Sequence, residues 1–211
     1  MTQIDVLSIE EYFNGMPISE EEKKRRIEFA KQMEELFIIL FVLMRQQSED
    51  DYFDTSSTEQ RVEDVLEDNG VELTPTIKTL VRERVADIVD ITKRHMPDDK
   101  VSTPDGKTPE NGDKDPWYTS PDRAKILAEE ETNTLLNRDD FDRAKASGKR
   151  HKKWLSMKDL RVRPTHKDVD EEVIPIDQDF IVGGHKMAFP RDTKGPAHEV
   201  NGCRCYVEYL P

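Results

Sequence analysis

One stretch towards the end of the chain gathers an acid, two guanidinium groups and an imidazole: Asp159, Arg161, Arg163 and His166. A guanidinium pair can grip a phosphate or carboxylate through its fork of N–H donors. An imidazole moves protons near neutral pH. Together these are the parts of a metal-free ribonuclease site, with His166 as acid or base beside Arg161 and Arg163. Read as an extended segment, it places Asp159, Arg161 and Arg163 on one face. The same groups also suit an ion-pair network that fixes a loop-rich fold, and His166 is equally a metal ligand.

Cys203-Arg204-Cys205 adds two thiols. On a strand both sulfurs point to one side. A soft ion such as zinc takes thiolates, four ligands completing a structural site. His166, His185, His198 and Asp192 are the residues that could complete it. Two alternatives stay open: buried thiols acting as small hydrophobes, and a nucleophile whose pKa Arg204 lowers. With only these two cysteines there is no disulfide framework. A bridge across a single residue would be badly strained, and a reduced pair suits a cytoplasm. Gly183-Gly184 and Phe189-Pro190-Arg191-Asp192 read as turns. No phosphate-cradling loop is present, so nucleotide hydrolysis has no support. Lys149 to Lys153, with His151, form a basic cluster, either a solvated face or a local contact to DNA or an acidic partner.

The elements that must position these groups change character along the chain. Residues 19 to 47 read as a helix capped by Ser19, with Glu20, Glu21 and Glu22 at its positive end. From Leu36 through Phe37, Ile38, Ile39, Leu40 and Phe41 to Met44 it has no polar face. A helix apolar all round should be buried all round, either in the chain's own bundle or against another protein. Ser57 and Gln60 suggest a capping box for a second helix that stops at Asn69-Gly70. Thr74-Pro75 opens a third, ending near His95-Met96-Pro97. Residues 97 to 119 alternate Pro, Gly and charges, as a linker does. Ser120-Pro121 starts another helix, with a short one to follow from Asp139 to Ala146, closed by Gly148. Beyond it, Val173 to Ile176, Phe180 to Val182 and Cys205 to Leu210 read as strands. The expected fold class is α+β: a helical region over 1–96, a linker over 97–119, and a small helix-plus-antiparallel-sheet domain over 120–211.

Composition narrows the partners. The net charge is −13, with charged residues at 36% and hydrophobic ones at 35%. Phosphate backbones repel such a surface, so a basic or mixed protein surface is the better partner. The start of the chain is acidic, unlike a signal peptide. The apolar run from Leu36 to Met44 is too short for a bilayer core, which needs about 20 residues. No membrane partner is expected.

Taken in order, the marks resemble a known family. They are Arg123-Ala124, Glu131-Thr132, Trp154, Asp159, Arg161, Arg163, His166, Phe180, Pro190, Asp192, Asn201, Cys203 and Cys205. This series is similar to the phage Mu F-type minor head proteins, the phage head morphogenesis domain, over roughly residues 120 to 208. Two departures stand out. Family members commonly carry Ala-Arg-Thr-Glu-Thr on the helix, where this chain has Ala128-Glu129-Glu130-Glu131-Thr132. The usual glycine after the histidine is absent, residues 170–172 being Asp-Glu-Glu. The resemblance implies a minor head protein in capsid assembly, genome packaging or delivery, bound to portal, major capsid or scaffolding protein, with local contact to packaged DNA. It implies residence in the virion head, at its interior or portal vertex, and in the host cytoplasm during assembly. Leu36, Phe37, Ile38, Ile39, Leu40 and Phe41 are the expected partner-binding residues. The alternative is a barnase-like nuclease or toxin-type domain using His166 with Arg161 and Arg163. No cofactor is expected unless His166, Cys203 and Cys205 hold zinc.

Overall fold

The computed structural model describes residues 8–46, 53–96 and 116–211. The architecture is α+β. Helices α1 (Ile9–Asn14), α2 (Glu20–Gln46), α3 (Ser56–Asp68) and α4 (Pro75–His95) come first, then a 3-10 turn at Pro116–Thr119 and the long α5 (Pro121–Ala146). Strand β1 (His151–Leu155), α6 (Pro164–Asp168), β2 (Val173–Pro175), β3 (Phe180–Val182), β4 (His185–Met187), α7 (Ala197–Val200) and β5 (Tyr206–Leu210) follow. Strands β2, β1 and β5 form an antiparallel sheet with β1 in the centre, and Trp154 opposes Val207. Strands β3 and β4 form a separate hairpin. Gly183 and Gly184 are its turn, at φ 56° and 84°, the left-handed pair that a tight two-residue hairpin needs.

Local chemistry explains most boundaries. The Ser19 hydroxyl accepts from the Glu22 amide at 3.2 Å, and Thr74 and Ser120 cap α4 and α5 the same way, each with proline in the first turn. Three expectations are corrected. Ser57 lies inside α3, which starts at Ser56; Asp54 takes the Ser56 amide at 2.9 Å instead. Helix α5 runs unbroken through Asp139, because both carboxylates there are neutralised by arginines, Arg25 on Asp139 and Arg26 on Asp140. Asp159 to Arg163 is a turn leading into α6 rather than an extended segment; Asp159 accepts the Arg161 amide at 2.9 Å. The linker expected at 97–119 lies outside the described residues up to 115.

Helix α5 is the hub. Ala124, Ala128, Leu135 and Leu136 join the apolar core that α2, α3 and α4 build, while Phe141 and Ala144 join the core under the sheet. A helix that meets neighbours on every side loses its amphipathic signature, and its polar residues must then be bonded. Arg26 on α2 is fully buried. It donates to Glu22 (2.7 Å), Asn133 (2.7 Å), Asn137 (3.0 Å) and Asp140 (2.8 Å), and it lies over the Tyr206 ring of β5. Arg84 on α4 holds the buried Glu131 through two bonds of 2.9 and 2.6 Å.

The apolar run on α2 divides. Leu36, Phe37, Leu40 and Phe41 are core, but Ile38 (37%), Ile39 (44%), Val42 (50%) and Leu43 (42%) face outwards. Among the described residues burial all round is therefore not achieved: α3 and α5 cover one side of this helix.

Glu129 is buried on α5 with Oε1 unbonded among the described residues. Desolvation raises its pKa to about 8; Lys125 opposes the shift, and Glu130 and Glu34 add to it. An acid raised in the folded state holds its proton more tightly there. Stability therefore declines as pH rises from the unfolded value of 4.5 through about 8, and the penalty is complete above that. Glu129→Gln should flatten this decline and stabilise the chain by on the order of 1–3 kcal/mol above pH 8. Urea midpoints at about pH 5 and about pH 9 check it; the gain should be confined to the higher pH.

Candidate functional site

The sheet core brings together Trp154, His166, Phe180, Cys203 and Cys205, all at most 2% exposed. Strand β1 delivers Trp154, whose ring meets His166 edge-on at 5.6 Å and Phe180 at 5.2 Å. Pro164 fixes the first turn of α6, which lowers His166 onto the sheet. Gly202, at φ 67°, turns the chain out of α7 so that Cys203 and Cys205 point inwards on the approach to β5. His166 Nδ1 lies 3.4 Å from Cys205 Sγ and 3.5 Å from Cys203 Sγ. Its Nε2 lies 3.0 Å from Glu199 Oε2, which also accepts from the Thr165 hydroxyl at 2.9 Å. A Cβ on Gly183 would stand 2.2 Å from Glu199 Oε1, so this glycine makes room for the carboxylate as well as the turn.

The thiols are unequal. Hydrogen bonding from Cys205, and then from His166, holds Cys203 well below the ordinary thiol range against the effect of burial. Donation to Cys203, with burial, drives Cys205 well above it. Burial works against the imidazolium of His166, but the Cys203 sulfur outweighs it and the net direction is upward.

Several of the remaining marks brace this core. Asp159 pairs with Arg204 at 2.6 Å. Arg163 donates to the Asn201 carbonyl. The Pro190 carbonyl accepts from Asn137 at 2.9 Å, and Asp192 takes the Ala188 amide at 2.8 Å. Between them Arg191, at φ 65° and 1% exposed, reaches Thr134, the Val200 carbonyl and Glu130. Sequence reasoning treated this loop as a simple turn and overlooked Arg191 and Glu199. An arginine beside two turn formers and an acid in a four-residue helix carry no periodic signal.

Several expectations fail on geometry. Both nitrogens of His166 are engaged and the ring is buried, Arg163 is spent on a backbone carbonyl, and Arg161 is exposed with no side-chain partner among the described residues. The pocket that Arg161, Arg163 and His166 share is only about 10 Å³, too small for the substrate that a nuclease site must hold. His185, His198 and Asp192 lie outside the cluster of His166, Cys203 and Cys205. Lys152, counted in the basic cluster, is fully buried: its ammonium donates to the Ala188 carbonyl at 2.7 Å between the Phe141 and Phe180 rings. A cavity of about 360 Å³ between the start of α4, α5 and the 189–194 loop is lined by Arg138, Arg191 and Lys194 among others.

Comparison with known proteins places this geometry. The model of phage Mu protein F like proteins matches residues 70–208. The chain belongs to that family. The match takes in α4, and so the Arg84–Glu131 pair, well before residue 120 where the motif series begins. A stretch of 75 residues is 32% identical to the NAD(+)--arginine ADP-ribosyltransferase EFV of Enterococcus faecalis, strain ATCC 700802 / V583. It covers 35% of this chain and 15% of that protein, so the likeness is local. No solved structure matches the chain. Within this Mu F-like chain most motif residues from Trp154 onwards form one buried core and its braces, while Arg123 and Glu131 bond to α4.

Proposed function

We propose that the chain is a minor component of the phage head that binds another head protein through the exposed face of α2. Membership of a phage head family supports the setting, and one observation carries the surface. Ile38, Ile39, Val42 and Leu43 form a contiguous apolar stripe on a helix whose opposite face already fills the core. Residues at these steps make a seam that fits a second helix. Glu34 and Glu35 precede it by one turn, and the chain carries −13 overall. The partner is therefore an apolar helix with basic flanks on a portal, coat or scaffolding subunit; a second copy of this acidic chain is disfavoured by its own charge. No described helix is long and apolar enough to cross a membrane.

Ile39→Lys with Leu43→Lys tests this. Both positions are exposed, so the double variant should melt within about 1 kcal/mol of the parent. Its sedimentation with procapsids should fall at least about tenfold, the loss of one apolar seam. A well-folded double variant that sediments like the parent refutes the surface.

A further inference from the structure

We propose that His166, Cys203 and Cys205 bind one zinc ion as a structural centre, with Glu199 orienting the histidine and one water as the fourth ligand. The three donor atoms lie within 4.8 Å of one another. On a tetrahedral ion with Zn–N near 2.0–2.1 Å and Zn–S near 2.3 Å, the nitrogen and each sulfur sit about 3.5 Å apart. The separations in this structure are 3.4 and 3.5 Å. Both nitrogen–sulfur separations therefore match that geometry.

The surroundings supply what a zinc–thiolate centre needs. Glu199 accepts a hydrogen bond from Nε2–H, which leaves the Nδ1 lone pair directed at the sulfurs; a carboxylate behind a ligating imidazole does this in metal sites generally. Thr165 and the missing Cβ of Gly183 hold that carboxylate in place. The indole N–H of Trp154 is buried without a hydrogen-bond partner among the described residues, in the same core cluster as Cys205. An orphaned donor of this kind is costly, and a metal-bound thiolate is the acceptor it lacks. Two thiolates and one dication are neutral as a unit, which suits burial. A cavity of about 10 Å³ touches all three ligands. That is room for about one water and for no substrate, so the ion would hold the fold rather than do chemistry. The same lack of room argues against Cys203 as a nucleophile, although His166 and Glu199 stand in a relay behind it.

The test uses the full chain. Purified from medium containing zinc, it should carry about one zinc per chain by mass spectrometry of the metal. After stripping, titration with cobalt(II) alone should give thiolate-to-cobalt charge transfer and the visible bands of a tetrahedral ion. Cys203→Ser with Cys205→Ser should abolish both readouts. Glu199→Gln keeps every ligand and should weaken zinc about 10–100-fold in chelator competition. Should the double serine variant fail to fold, the cobalt spectrum of the parent and the Glu199→Gln affinity still decide. Metal-free parent protein with no cobalt spectrum, or unchanged affinity in Glu199→Gln, overturns the proposal. Neither result bears on head binding through α2.

Discussion

Arg26→Met should cost the fold about 3–5 kcal/mol, the largest loss expected from any single polar position. The methionine fills most of the same space but leaves Glu22, Asp140, Asn133 and Asn137 without the guanidinium that now satisfies all four. Asn137 keeps its bond to the Pro190 carbonyl, so the damage should spread along α5 towards the 189–192 loop. Those groups sit between α2, α5 and β5, where water cannot replace the lost donor cheaply. For a chain of this size the loss corresponds to a fall in melting temperature of roughly 10 °C. Arg25→Met is the control. Arg25 pairs with Asp139 and Asp140 but keeps 19% of its side chain in solvent, and its loss should be no more than about 1–2 kcal/mol. Thermal unfolding of both variants decides. A melting temperature for Arg26→Met within a degree or two of the parent would show that α2 is held to α5 by its apolar face alone.

Trp154→Ala should destabilise by about 3–5 kcal/mol, the usual result of emptying a large buried aromatic site. The indole is completely buried in the centre of the sheet and touches His166 and Phe180 at ring distances of 5.6 and 5.2 Å. Its removal should also loosen the imidazole over the thiols. The reactivity of Cys203 and Cys205 towards a thiol reagent should therefore rise along with the loss of stability. Trp154→Phe keeps much of the volume and should lose less. Full protection of both thiols in a folded Trp154→Ala variant would contradict the packing described.

Much of this was legible in the residues. Ser19, Thr74-Pro75, Asn69-Gly70 and Ser120-Pro121 act locally, through capping bonds and fixed backbone angles, and they mark helix ends where the structure has them. The strands at Val173, Phe180 and Tyr206 follow from β-branched and aromatic runs between turns. The convergence of Trp154, His166, Phe180 and the two cysteines was suggested by the order of the motif. What stayed hidden depends on long-range neighbours. Strand β1 was concealed as a basic cluster, because Lys152 alternates inwards with Trp154 and finds its carbonyl partner far along the chain. Arg26 reads as one of four successive cations at the start of a surface helix, and only the approach of Asn133 and Asp140 makes it a core residue. Glu199 gains its meaning from a histidine on another short helix. The apolar run on α2 was seen, but which half of it stays outside depends on where α5 lies.

The most direct test of the head-binding account is photo-crosslinking from position 42 in assembled heads. Val42 is half exposed in the middle of the α2 stripe, so a photoreactive side chain there leaves the core untouched. Irradiation should join the chain to an apolar helix of one other head protein, identifiable by mass spectrometry. Heads that mature normally while the chain stays free in the lysate, with no adduct at position 42, would contradict it.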